Sequence, residues 1–249
     1  MNRPFIAVFL VVGLLLCSSP TLVYAQSLVE VVKTGNLRLV KKSLSKKSVN
    51  VNEVDAEGLT SLMVATIAND SMMVVTLLMA GADPNIQTKS GMTVLHAAAF
   101  NNRDLLMPMI LAVGADPNKI DNKGRTPLIV ASQMGNTNPV TILIEAGAQI
   151  EFRDSKGNTA IMLACANRHL GAMNELLEKG ANPNSRDLQG RTPLMLLSVL
   201  GEDEMIRILL KHKADTTLVD FSMKSALAYA KEYRRKEVTQ LLEQAGAKY

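Results

Sequence analysis

Apolar residues in this chain fall in two short clusters separated by a polar break, and the whole pattern returns every 33 residues from Asp55 onward. Leu62, Leu95, Leu128, Ile161, Leu194 and Leu227 share one phase, and two residues before them stand Thr60, Thr93, Thr126, Thr159, Thr192 and Ser225. Two residues earlier again come Gly58, Gly91, Gly124, Gly157 and Gly190, each three after Asp55, Thr88, Asp121, Asp154 or Asp187; in the last copy Asp220 is followed by Met223 instead. Six copies in register exclude coincidence. The chain reads as an array in which each unit buries its apolar face against its neighbours.

The spacing predicts two short helices per unit. The glycine permits a tight turn at positive φ, and the hydroxyl residue after it is placed to cap the first helix by accepting from an orphan amide. Pro127 and Pro193 sit at the favoured first helical position. Ala65, Ala98, Ala131, Ala164 and Ala230 share a phase where a small side chain lets the next unit approach; Leu197 breaks that pattern and predicts a wider local spacing. Asn69, Asn102, Gly135 and Gly201 mark a break in residue types that tolerate left-handed backbone, with Arg168 and Arg234 less expected there. The second helix carries the pairs Leu77-Leu78, Ile110-Leu111, Leu143-Ile144, Leu176-Leu177 and Leu209-Leu210, and stops at Gly81, Gly114, Gly147, Gly180 and Gly246, with Lys213 replacing glycine once. Pro108 falls inside the second helix of its unit, where it is expected to remove a hydrogen bond and bend the helix. Pro139 lies near a helix start and is expected to be tolerated.

Ahead of the array the pattern changes. Arg3 precedes twelve uncharged, almost wholly apolar residues, Phe5 to Leu16, followed by Ser18-Ser19-Pro20 and Val23-Tyr24-Ala25. This is the layout of a secretory signal peptide, too short for a comfortable membrane span, and it predicts cleavage after Ala25. Lipidation at Cys17 is disfavoured because Leu16 is not small, and an uncleaved anchor is the other alternative. With the leader removed, Cys165 is the only cysteine, so no intramolecular disulfide is expected.

Composition narrows the function. At 47% apolar but 4% aromatic, with no Trp and 14 Met, the core must be built from Ala, Leu, Ile, Val and Met, which suits small helices packed closely. A net charge of +4, from 27 basic and 23 acidic residues, reads as a mild excess spread over many residues. No basic, aromatic-interleaved patch appears, so nucleic acid is not an expected partner. The densest basic clusters, Lys41, Lys42, Lys46 and Lys47 and then Arg234, Arg235 and Lys236, read first as solvated end faces, with an acidic partner or lipid headgroups as the alternative.

Chemistry-bearing motifs are missing: there is no phosphate-cradling loop, no His-Glu-x-x-His, no cysteine pair and no nucleophile elbow. The chain is therefore expected to be no enzyme, with no catalytic residue, cofactor, metal or small-molecule substrate. His96, His169 and His212 occupy three phases of the repeat and are not expected to converge on an ion. Cys165, aligned with Ala99 and Ser132, is expected to fill a small buried site, and Met63, Met162 and Met195 to belong to the core.

Gly124-Arg125-Thr126-Pro127-Leu128, Thr93-Val94-Leu95-His96-Ala97-Ala98 and the Gly-Ala-Asp-Pro-Asn segments at 81–85 and 114–118 resemble ankyrin repeats. The resemblance implies an all-α solenoid of stacked helix-turn-helix units with protruding β-turn loops. It divides the chain into the signal peptide 1–25, an N-terminal capping helix pair 26–54, repeats at 55–87, 88–120, 121–153, 154–186 and 187–219, and a C-terminal capping repeat 220–249. For His96 it implies hydrogen bonds between adjacent turns.

The resemblance also implies a partner site on the concave face, lined by turn tips and first helices. There the second, third, fifth, thirteenth and fourteenth residues of each copy vary and should point outward. Candidate contacts are Lys89, Met92, Phe100, Lys123, Arg125, Met134, Lys156, Leu188, Arg191, Phe221 and Tyr233. Met92, Phe100 and Met134 are expected to form an apolar patch rimmed by Lys89, Lys123, Arg125, Lys156 and Arg191, suited to a folded protein with an acidic or mixed surface. A signal peptide on such an array resembles exported bacterial proteins, some of which support a periplasmic catalase and peroxide resistance while others neutralise toxins. The function expected is a periplasmic or secreted interaction module that stabilises, inhibits or scaffolds another protein. An envelope-associated structural element is the rival. A monomer is expected, with membrane contact only if the leader is retained.

Overall fold

The computed structural model describes residues 27–247; the expected leader, with Cys17 and the expected cleavage after Ala25, lies outside them. Every unit contributes an antiparallel pair of helices. The first helices are α1 (Leu28–Lys33), α3 (Ser61–Ile67), α5 (Val94–Phe100), α7 (Pro127–Met134), α9 (Ala160–Ala166), α11 (Pro193–Leu200) and α13 (Ala226–Glu232). The second helices are α2 (Leu37–Leu44), α4 (Ser71–Met79), α6 (Met107–Ala112), α8 (Thr137–Glu145), α10 (Leu170–Glu178), α12 (Asp203–Lys211) and α14 (Lys236–Gln244).

Helices of six to nine residues are too short to persist alone, so caps and neighbours must hold them. Thr60, Thr126, Thr192 and Ser225 accept at 3.2–3.4 Å from the amides of Met63, Ile129, Met195 and Ala228, as their spacing predicts. The breaks are left-handed at all six positions of that phase, including Arg168 (φ 62°) and Arg234 (φ 55°), and the Lys213 and Met223 exceptions are left-handed too. Position in the repeat thus overrides residue type. At Gly91 (φ 80°) a Cβ would lie 2.7–3.0 Å from atoms of Asp121 and Asn122 in the next turn, so the turns can stack only without a side chain there.

First helices pack in one row, from α1 through α13, and second helices form a row behind them. Ala65, Ala98, Ala131, Ala164 and Ala230 are buried between neighbours, and Leu197 is buried in the same place. Met63, Met162, Met195 and Cys165 are core residues. Burial pushes the Cys165 thiol up, far from the thiolate that reactivity needs.

Three ladders of polar contacts fasten unit to unit. Turn tips are joined by backbone bonds, with the amides of Lys89, Asn122, Ser155, Leu188 and Phe221 donating to the carbonyls of Glu57, Ser90, Lys123, Lys156 and Gln189. In the outgoing loops, Asn85 donates to Gly114 O and accepts from Asp116 N, and Asn118 does the same with Gly147 O and Gln149 N. Between helices, Arg103, Asn136 and Arg235 donate back to Ile67 O, Ala99 O and Val199 O of the preceding unit.

One local expectation is corrected. Pro108 does not bend a continuous helix: Asp104–Leu106 forms a 3₁₀ turn, and α6 starts afterwards with Pro108 in its first turn. There the missing N–H has no helical partner to lose, so the chain changes helix type ahead of the proline. Pro139 sits buried in the first turn of α8.

Candidate functional site

Turn tips and the outward faces of the first helices carry the residues that the resemblance assigns to a partner face. Lys89, Lys123, Lys156, Leu188 and Phe221 are exposed on the tips; Met92 and Met134 are half-buried, and Phe100 is exposed at the end of α5. Leu188 and Phe221 are 62% and 74% exposed, so the basic tips of the middle units give way to apolar tips in the last ones.

Arg125 and Arg191 are not free charges. Arg125 donates through Nε and its terminal amine to Asp121 Oδ2 at 2.9 and 2.7 Å and to Gln133 Oε1 at 2.8 Å. Asp121 Oδ1 takes the amides of Lys123 and Arg125. Burial works to raise the Asp121 pKa, but the guanidinium and these amides outweigh it and hold the carboxyl below its usual range. Arg191 repeats the arrangement on Asp187, with Nε at 2.7 Å. Both arginines lock their own turns before they can meet a partner.

A groove of about 290 Å³ opens on this side among α9, α11 and α13, lined by Ala166, Arg191, Met195, Leu196, Val199, Leu200, Tyr229 and Tyr233. Of the sequence candidates it unites Arg191 with Tyr233. Leu196 and Tyr229 were not among them, although they share the tenth position of the repeat, one helical turn before the thirteenth and fourteenth and therefore on the same face. Ala166 stands where other units carry Phe100, Gln133 and Val199, and its small side chain leaves the hollow open.

The rim is electrostatically self-contained. Tyr229 donates to Asp220 Oδ2 at 2.5 Å; burial first, then this carboxylate, pushes the phenol up to about 12. Lys224 reaches Glu232 at 2.6 Å and lies 5.5 Å from the Tyr229 ring centre. With its charges paired, the groove suits an uncharged apolar or aromatic side chain, framed by tyrosine hydroxyls.

The histidines serve the scaffold. His96 bridges adjacent units, as taken up below. His169 precedes α10, where its Nε2 lies 3.1 Å from Gln133 O and its ring occupies the space that a Cβ on Gly135 would need. His212 ends α12, with Nε2 3.5 Å from Glu178. Among the described residues no group of three His, Cys, Asp or Glu side chains could hold a metal ion.

Family models agree with this architecture. A model of ankyrin repeats in three copies matches residues 28–121 and again 95–187, and a second ankyrin-repeat model, of many copies, matches residues 176–230. No curated protein matches the chain.

Proposed function

This chain belongs to the ankyrin-repeat family, whose repeats are generally protein–protein interaction modules, and from that premise we propose that its concave face binds one partner protein, exported alongside it, to stabilise, inhibit or scaffold it. The observation that carries this reading is the groove of α9, α11 and α13 beside exposed Leu188, Phe221 and Tyr233. Concave, tyrosine-rimmed and apolar, it has the make-up of an interface hot spot. The unpaired Lys89, Lys123 and Lys156 on the central tips add a basic edge for steering.

The informative variant avoids Arg125 and Arg191, whose loss would loosen the turns as well as the surface. Phe100, Leu200 and Tyr233 carry exposed or half-exposed side chains without hydrogen-bond duties in the fold, so their joint replacement by alanine should leave folding intact. The full chain with a C-terminal tag is expected to retain a partner that the triple variant binds at least about tenfold more weakly. Equal retention by both proteins, with matching circular dichroism, would remove the concave face from the function.

The export reading is tested separately. Mass spectrometry of the chain recovered from the exported fraction is expected to find Gln26 at the N terminus. Recovery of residues 1–25 with the membrane fraction would favour the envelope-associated role instead.

A further inference from the structure

The formal charge of +4 is not spread along the chain. Residues 27–50 carry six basic side chains, Lys33, Arg38, Lys41, Lys42, Lys46 and Lys47, against the single acid Glu30, while beyond residue 50 the chain holds 20 basic and 22 acidic residues. Apart from Arg3 in the leader, the positive excess belongs to one end of the solenoid.

The fold presents these charges outward. α2 packs against α1 and α4 through buried Val40 and half-buried Leu37 and Leu44, and its opposite arc exposes Arg38, Lys41 and Lys42. Lys46 and Lys47 are exposed in the turn that follows, and Leu39, 45% exposed, sits at the edge of the arc. Lys33 is neutralised by Glu30 at 2.8 Å and Asp55 at 3.1 Å. The other five form no ion pair with a described residue. The basic cluster at the far end differs: Arg235 donates to Val199 O, Lys231 pairs with Glu243, and Glu232 and Glu237 are interspersed.

Five like charges within ten residues repel one another and gain from an external counter-charge. We propose that this N-terminal end of the solenoid docks on the anionic headgroups of a lipid bilayer, whether or not the leader is retained. Four of the five cations are lysines, which bind as hydrated point charges rather than by forked recognition, and no aromatic interleaves them to stack on a base. Leu39 offers an apolar side chain to the interface. Docking there leaves the groove of α9, α11 and α13, several units away, open to a partner.

The test is sedimentation of the full chain with vesicles of phosphatidylcholine alone or enriched in phosphatidylglycerol. Binding is expected only to the anionic vesicles at about 0.1 M salt and is expected to be lost at about 0.5 M, where the Debye length shrinks to a few ångströms. The variant R38Q/K41Q/K42Q/K46Q/K47Q should bind at least about tenfold more weakly. Replacing the four lysines by arginine should preserve binding, and R234Q/K236Q should not change it. The concave triple variant should bind vesicles like the native chain, which separates this surface from the partner site. No binding to anionic vesicles, equal binding to neutral ones, or binding that survives high salt and the five substitutions would overturn the proposal, the last by assigning attachment to the apolar leader.

Discussion

Replacing Leu128 by alanine is expected to destabilise the protein by about 3–5 kcal/mol. Leu128 is fully buried in α7, and α7 packs against α5 on one side, α9 on the other and α8 behind. Removal of its isobutyl group opens a cavity bounded by helices that the turn and loop ladders hold in place, so the gap cannot close by local collapse. A solenoid transmits stability only between neighbours, and the loss therefore falls on the contacts that join its N-terminal and C-terminal halves. Urea unfolding followed by circular dichroism should show the midpoint falling accordingly. Met79→Ala, at a side chain 85% exposed, should shift it by no more than about 0.5 kcal/mol. A shift at Leu128 no larger than at Met79 would show that the central packing is looser than the structure describes.

The second large effect lies at His96. Its Nδ1 accepts from the Thr93 amide at 3.1 Å and lies 2.9 Å from Thr93 Oγ1, while Nε2 donates to Arg125 O of the next turn at 2.9 Å; the tautomer follows from these partners. The corresponding positions in other units, Met63, Ile129, Met162 and Met195, carry no such donor. His96→Ala leaves the Thr93 amide without its partner, takes from the Arg125 carbonyl one of two donors, the Asp121 amide being the other, and empties a buried site, and is expected to cost about 2–4 kcal/mol.

The same residue makes stability pH-dependent. Burial lowers the His96 pKa below 6.5, against smaller opposing effects of Arg125 O and Asp121. Below pH 6.5 the unfolded chain therefore binds a proton that the folded chain refuses. The contribution is complete above pH 6.5 and is lost as pH falls below it, since protonated Nδ1 would face the Thr93 N–H donor. Carboxylates such as Asp121, held below 3.8, lose their contribution only at more acid pH. Thermal unfolding should thus show native stability falling as pH drops below 6.5, and His96→Ala should lack that fall. An identical pH profile in both proteins would place the titration elsewhere.

The groove tests sequence reading more severely than the fold does. Arg191 and Tyr233 were legible because they occupy variable outward phases. Leu196 and Tyr229 were not, since the tenth position looks like core: Ala97 and Val130 at that phase are buried, while Val64, Leu163, Leu196 and Tyr229 are only partly so, a difference that the repeat does not encode. Arg125 and Arg191 read as partner contacts because a sequence shows a charge but not its counter-ion. Both answer aspartates four residues earlier, a pairing made by the turn itself.

The sequence alone determined the repeat length, most of the capping hydroxyls, the left-handed breaks and the buried alanines, because each is a local or periodic requirement repeated along the array; Thr159, whose hydroxyl makes no cap bond, and Leu197, in an alanine's place, are the exceptions. It also determined the concentration of basic residues before Asp55. Tertiary structure decided what depends on neighbours 33 residues apart: that the hollow opens over Ala166 between three first helices, that His96 bridges to Arg125, that the chain yields to Pro108 by changing helix type, and that five cations at the start of the array form no ion pair with a described residue while those at its end are interspersed with acids and backbone acceptors. Periodicity specifies which face of a unit is buried. The size and charge of the side chains that meet across units specify the shape of what remains exposed.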